Sequence, residues 1–453
     1  MGGHLKLFRA RISARWALFC AAEAVAVGFL FVPDARVHLL AYLSLFVAGS
    51  VLAFLAARSL SGSRPSFLLL CAAVFRLTLL FRPPDLSDDL WRYLWDGGVA
   101  RAGISPWAHA PADPAVSGLD PALNARVAHR EIRTVYPPAA QAVFRAFGFA
   151  RAPFVLKGFF AAADLAVVAL LAGANLPGGA WAAALYAFHP LPVTETAGQG
   201  HLDSLGVALL AASVAHALRG RRAAAGLGLA LSALSKYVSA AAALPLARQG
   251  RWRTVLAAAA AIALIWGAAA GRGTSPAGGL DQYATRWEFN SVTYPVVYAA
   301  MEGARVPQRA KDAFLAWKAR HHDPPWTARV FPYFYSAFFA RAFLAIILGF
   351  LLLAIAWRVT DLWASVLASV GALLLVSPTL HPWYLLWVLP FAAARKEPAF
   401  LWLATAAPLA YAIFYPTPGI SAAAVYAIEY VPFAALLLWP LLRRRSRDVP
   451  VRA

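Results

Sequence analysis

Apolar blocks about twenty residues long recur from end to end of the chain, and they limit its fold more than any other feature. Twenty helical residues rise about 30 Å, the thickness of a bilayer's hydrocarbon core. Such blocks fall near 14–32, 37–60, 65–81, 153–173, 179–195, 201–218, 252–270, 335–357, 361–379, 382–394, 398–416 and 420–442. The chain is 61% hydrophobic and 14% charged, where a soluble domain carries about 25% charged residues. The expected fold is therefore an all-α polytopic membrane protein of about twelve helices, one integral membrane domain over residues 1–453.

Orientation follows from basic residues in the short loops. Lys6, Arg9, Arg11 and Arg15, Arg58 and Arg64, the Arg219–Arg222 cluster, Arg395 with Lys396, and Arg443 to Arg445 all belong on the cytoplasmic side. Both chain ends are then cytoplasmic, and the N-terminal block reads as a retained anchor, because no small-residue cleavage site follows it. Two long connections, 82–150 and 271–334, face the other side of the cell (inner) membrane. One block breaks the alternation: residues 223–247 are apolar but have arginine clusters at both ends. A helical hairpin that enters and leaves on the cytoplasmic side, with its tip near Ser235-Lys236-Tyr237, removes the conflict; an ordinary span that violates the rule locally is the alternative. Backbone turned at that depth must be surrounded by protein or line a cavity.

The net charge is +20. On a soluble protein this would suggest nucleic acid, but these arginines sit between apolar blocks, so membrane lipids and a phosphate-bearing lipid are the expected partners and nucleic acid is not. Cys20 and Cys71 both lie inside apolar blocks and form neither a disulfide framework nor a metal spacing. No phosphate-binding loop, dinucleotide or zinc-protease motif occurs. No internal repeat is evident, which speaks against inverted-repeat transporters.

Chemistry-bearing residues gather in the extracytoplasmic connections. "SDDLWRYLWDGG" (87–98) follows the third block. Leu90, Trp91, Leu94 and Trp95 have helical spacing, which predicts a short interfacial helix with Asp88, Asp89 and Arg92 near its first turn. A carboxylate there can act as a general base on a hydroxyl; helix capping by Ser87 and Asp88 is the competing reading. Glu195, His201 and Asp203 occupy the connection between the fifth and sixth blocks, His381 precedes a proline-started helix, and Arg286 and Glu288 lie in the second long loop. His201 with Asp203 also reads as a loop histidine beside an N-cap. Lys236 also reads as a snorkelling or paired lysine. Arg76, Lys157 and Asp164, inside blocks, are expected to pair between helices.

In order along the chain, "SDDLWRYLWDGGVARAGISPW", "TVYPPAAQ", "AGQGHLDSLGVALL", "LSALSKYVSAAAALPL" and "SPTLHPWYLLWVLPF" resemble bacterial polyprenyl-phosphate-mannose-dependent mannosyltransferases of the GT-C superfamily. The similarity runs from about residue 85 to 395 and leaves 300–330 unmatched. It implies transfer of a hexose, mannose by family expectation, from a polyprenyl-phosphate sugar to a glycolipid, glycan or protein acceptor on the extracytoplasmic face. It also implies an acidic base in the first external loop, a role that falls on Asp88 or Asp89. Asp88 is preferred, being nearer the loop. A single displacement would invert the anomeric centre. The departing phosphate needs cations or donors, for which Arg92, Lys236, Arg286 and His381 are candidates, with His201 and Asp203 as further substrate-binding residues. An aspartate pair with a histidine can bind a divalent ion, but a lipid-phosphate donor lacks a chelating pyrophosphate, so no metal or other cofactor is expected. A lipid-linked-sugar flippase is the alternative function.

Overall fold

A computed structural model describes residues 2–148, 153–173, 178–270, 275–321 and 323–447, the side chains of 2–13, 250 and 440–447 excepted. The basic residues Lys6, Arg9, Arg11 and Arg443 to Arg445, used above for orientation, lie outside the described side chains. The regular structure of the described residues is helical, with one isolated bridge between Phe289 and Thr379 and no strand.

Among the described residues, five helices are long and apolar enough to cross a membrane: Leu39–Ser59, Pro153–Ala172, Trp252–Ala270, Ser336–Arg358 and Ala422–Trp439. Their apolar residues do not sort into an inner apolar and an outer polar stripe, as a water-facing helix requires. In Leu39–Ser59, Tyr42, Phe46, Ala53 and Ala57 are buried, while Leu40, Val47, Val51 and Leu55 on the opposite face are open. In Ser336–Arg358, Ile346, Phe350, Leu353 and Trp357 are open in the same way. A continuous apolar exterior of this kind has lipid, not water, as its matching solvent.

The remaining apolar blocks are shorter or interrupted helices, and the interruptions have local causes. Block 179–195 breaks where Pro190 follows His189, whose backbone is extended; a π-helical turn, Val193–Gly198, continues it. Residues before proline avoid the helical region. Block 382–394 is a 3-10 helix, Pro382–Trp387, followed by the short helix Leu389–Arg395, and every residue from 382 to 394 is buried. It is a core segment, as apolar runs of about 10–14 residues tend to be.

The block flanked by arginines at both ends is broken too. Helix Arg222–Ser235 stops at Lys236, whose backbone is extended (φ −158°, ψ 131°), and a 3-10 stretch, Tyr237–Ala242, follows. By Arg251 the chain has returned: its Nε donates to the carbonyl of Ala217, at the end of helix Asp203–Leu218. Both ends of 222–251 thus lie at one end of the bundle, with Lys236 at the far tip.

The first long loop is built on helix Asp89–Arg101. It begins where the spacing predicts, but its apolar face is buried against protein and not left open for lipid. Leu90, Trp91, Leu94 and Trp95 are all at least 94% buried; the first three pack against helix Pro138–Phe147, Trp95 packs with Val99, Val116 and Val127, and Tyr93 stacks on Phe144 at 4.6 Å. The two helices touch at Gly97, where a Cβ would stand 2.1 Å from the carbonyl oxygen of Phe144. Only glycine permits this approach.

Inside the bundle Arg76 and Asp164 pair as expected, whereas Lys157 is held by backbone carbonyls. Arg76 donates to Asp164 at 2.7 Å and to the carbonyl of Ala187; Tyr186 donates to the second Asp164 oxygen. Lys157 donates to the carbonyls of Arg82 and Leu79. Removing one member of a buried pair leaves an uncompensated charge and costs about 3–5 kcal/mol, whereas an apolar replacement of both is tolerated. Arg76→Ala should therefore lower the unfolding temperature of detergent-purified protein sharply, and Arg76→Met with Asp164→Leu should recover most of the loss. Size-exclusion stability after heating measures both.

Candidate active site

Two loop segments are joined first. Gln199 lies in the "AGQGH" connection; its Oε1 accepts from the backbone N–H groups of Asp85 and Leu86 at 3.0 and 2.9 Å, and its Nε2 donates to Asp85. Gly200 follows at φ +82°, and a Cβ there would meet Lys157 and Leu90 at 3.0–3.1 Å. This turn, available to glycine without strain, aims His201 at the start of helix Asp89–Arg101. His201 is fully buried, with Nδ1 3.6 Å from Asp89 and Nε2 3.4 Å from Glu195. Glu195 is itself held by Tyr411, whose hydroxyl lies 3.0–3.1 Å from both carboxylate oxygens.

Asp88 and Asp89 part company at the helix start. Asp88 turns outward and pairs with Arg36 at 2.9 Å, both side chains partly open. Asp89 turns inward to His201. Burial pushes the Asp89 carboxyl up, but the nearby His201 and the positive charge of Lys236 outweigh it and hold the group below the ordinary carboxylate value. Asp89 is thus an anion at neutral pH, and 36% of its side-chain surface remains accessible.

A buried carboxylate–ammonium pair forms the opposite wall. Asp203, the first residue of its helix, accepts from Lys236 Nζ at 2.8 and 3.0 Å and from the indole of Trp387 at 2.6 Å. The ammonium also sits 4.1 Å above the ring centre of Tyr384, an attractive cation–π position. Tyr384 in turn bonds through its hydroxyl to Tyr283 of the second long loop. Lys236 keeps 17% of its side chain accessible.

His201 and His381 belong to one column of stacked rings. His201 lies on Trp383 at 4.0 Å, Trp383 on His381 at 4.4 Å, His381 on Phe289 at 4.9 Å, and Phe289 on Phe414 at 3.9 Å. Phe289 is fixed there by its backbone, which donates to Pro378 and accepts from Leu380. Burial lowers the His381 imidazole to about 3, despite the attraction of Asp89. His381 is therefore neutral at working pH and can offer a hydrogen bond, not a charge.

The structure thus brings Asp89, Glu195, His201, Asp203, Lys236 and His381 together. It places Arg92 in a separate network, donating to Asp96 and to the carbonyl of Ile132. Arg286 is exposed at the end of helix Leu280–Arg286, and Glu288 bonds to Tyr294 and Arg341. Sequence reasoning missed Gln199, Trp383, Trp387 and Tyr411. The first three stand inside the quoted motifs; Tyr411 carries no local signal. Among the described residues, no three histidine, cysteine, aspartate or glutamate side chains converge as an ion site.

Comparison with known families now decides the class. The alpha-(1->6)-mannopyranosyltransferase family, in its N-terminal domain, matches residues 21–252, half of the chain. The chain belongs to this family of mannosyltransferases. No curated protein and no solved structure matches it. The matched segment of this mannosyltransferase holds Asp88, Asp89, Glu195, His201, Asp203 and Lys236, while Arg286, His381 and most of the ring column lie beyond it.

The electrostatics carry a pH consequence. Lys236 favours the ionised form of Asp89, so removing it must raise the Asp89 pKa. In Lys236→Met the acid limb of kcat/KM for mannosyl transfer should move to higher pH than in the wild type. A limb that stays in place would show that the two groups are not coupled.

Proposed function

We propose that this mannosyltransferase moves a mannosyl unit from a polyprenyl-phosphate donor to a hydroxyl of a glycolipid or glycan acceptor, forming an α-(1→6) linkage, with Asp89 as the general base. The observation that carries the reading is the inward, ionised, partly accessible Asp89, set between His201 and the Asp203–Lys236 pair. An acceptor hydroxyl is a poor nucleophile, and a carboxylate within hydrogen-bond reach removes its proton as attack proceeds.

The step balances as follows. The acceptor O–H proton passes to an Asp89 oxygen. The acceptor oxygen forms a bond to C1 of the sugar, and the bond from C1 to the phosphate oxygen breaks. The polyprenyl phosphate leaves with that electron pair, needing no strong general acid. Lys236 presents a fixed positive charge to the phosphate as its negative charge grows, and neutral His381 offers a hydrogen bond. His201, braced by Glu195 and Trp383, holds the Asp89 carboxylate in register. One displacement inverts C1, so a β-linked donor yields the α-linked product.

Topology fits the same reading. The basic clusters at 219–222 and 248–253 flank a segment whose ends meet at one end of the bundle. In this reading that end is cytoplasmic, the segment is a re-entrant hairpin, and Lys236 at its tip faces a site open to the extracytoplasmic side. Both chain termini are then cytoplasmic.

The two adjacent aspartates separate the alternatives. Asp89→Asn should lower kcat by about 10²–10⁴-fold with donor binding retained, and Asp88→Asn should stay within about tenfold of the wild type. The assay is radiolabelled transfer from a polyprenyl-phosphate mannose to a synthetic acceptor in nanodiscs. Full activity in Asp89→Asn would remove the base assignment.

A further inference from the structure

A band of open aromatic rings precedes the span Ser336–Arg358, in a part of the second long loop that the site does not use. Trp326, Phe331, Tyr333 and Tyr335 are 39–49% exposed. Packing holds this band against a second element. Helix Val306–Arg320 presents Phe314 and Trp317, nearly one turn apart, to Phe334 at 5.2 Å and to Trp326 at 5.3 Å. The next open rings along the chain, Phe338 and Phe343, belong to the span itself, whose apolar exterior faces lipid. Trp and Tyr that adjoin the start of a span lie at headgroup level.

Cations stand among these rings. Residues 305–329 carry six Lys or Arg against two Asp. Both carboxylates are engaged locally: Asp323 by Lys318 at 3.0 Å and by the Thr327 hydroxyl, Asp312 by the amide of Gln308. Among the described residues, neither Lys311 nor Arg329 has a carboxylate partner. The Lys311 ammonium sits 5.1 Å from the ring centre of Phe331. Arg329 is exposed on the short turn Thr327–Val330, two residues before the same ring. Two uncompensated positive charges therefore border an apolar surface that runs into a lipid-facing helix.

The chemistry narrows the occupant. A second copy in a twofold contact would set Lys311 and Arg329 against the same charges. A zwitterionic headgroup brings a cation of its own to a surface that already has two. An anionic headgroup places a phosphate within reach of both, where guanidinium and ammonium groups bind it well, while its acyl chains run along Phe338 and Phe343. We propose that this face is a docking surface for an anionic phospholipid of the surrounding bilayer, with Lys311 and Arg329 on the phosphate and Trp326 and Phe331 against the glycerol and upper acyl carbons. The proposal stands apart from the mannosyl-transfer reading. It concerns how the second long loop, which carries Tyr283 and Phe289 into the site, is anchored at its other end.

The test uses the full chain, one copy per phosphatidylcholine nanodisc, doped with phosphatidylglycerol that carries a diazirine on its headgroup. Phosphatidylcholine with the same label serves as the neutral probe. After photolysis, the labelled peptides are mapped by mass spectrometry. In the wild type the glycerol probe should label residues 306–335 at least about fivefold more than the choline probe, the effect expected of one or two such cations. Lys311→Gln with Arg329→Gln should bring the two probes level there and leave labelling around Arg219 to Arg222 unchanged, which also reports an intact fold. Lys311→Arg with Arg329→Lys should keep the preference, since charge and not packing sets it. No label in 306–335, equal label from both probes, a preference that survives the neutral pair, or one lost in the charge-conserving pair would each overturn the proposal. Label displaced by polyprenyl phosphate at lower concentration than by unlabelled phosphatidylglycerol would assign the face to the donor lipid. Label lost when two copies share a disc would assign it to a second copy. Either result would overturn the phospholipid assignment.

Discussion

A charge placed among apolar helices has to find its counter-charge, and the Asp203–Lys236 pair is where this constraint organises the site. Lys236 stands at the end of a broken helix and Asp203 at the start of another, 33 residues earlier. Helix Arg222–Ser235 ends where this contact is made, and the chain turns back after it. Trp387 and Tyr384 then pack on the pair from the 3-10 segment that follows His381. The second long loop closes on Tyr384 through Tyr283. Four parts of the chain therefore converge around one neutralised pair, and Asp89 is presented to the positive side of it.

Much of this was legible in the sequence because it follows from local rules. Block length and arginine placement gave a helical membrane chain and singled out 223–247 as anomalous, and its backbone does turn at Lys236. The order of the motifs named the residues that assemble. What escaped was set by packing. Asp88 caps the helix with non-helical backbone and Asp89 is its first residue, so the two side chains leave in different directions and Asp89 is the one that meets His201. The choice depends on how Leu90, Trp91 and Leu94 seat against Phe144 and Phe160, which no spacing rule reveals. The same burial turned an expected interfacial helix into a core element. Arg92 was a reasonable phosphate ligand by position, but Asp96 lies one turn further on and captures it.

The ring column explains a second limit of sequence reading. Aromatic residues near span ends read as interface anchors, yet Trp383 and Phe289 are buried partners of two histidines. Their stacking keeps His201 upright between two carboxylates and shields His381 from water. One histidine therefore stands beside the ionised aspartate and the other remains a neutral dipole, although both come from histidine-containing loops of similar appearance.

The hydrogen bond from Tyr411 to Glu195 bridges 216 residues. During synthesis, Glu195 and His201 leave the ribosome roughly 10–40 seconds before Tyr411, at usual elongation rates of about 5–20 residues per second. In that interval the nascent chain carries an unbraced histidine and an unfinished ring stack. The order of synthesis thus imposes a delay: a chain that stops short of residue 411 holds Glu195 and His201 without the hydroxyl that braces them.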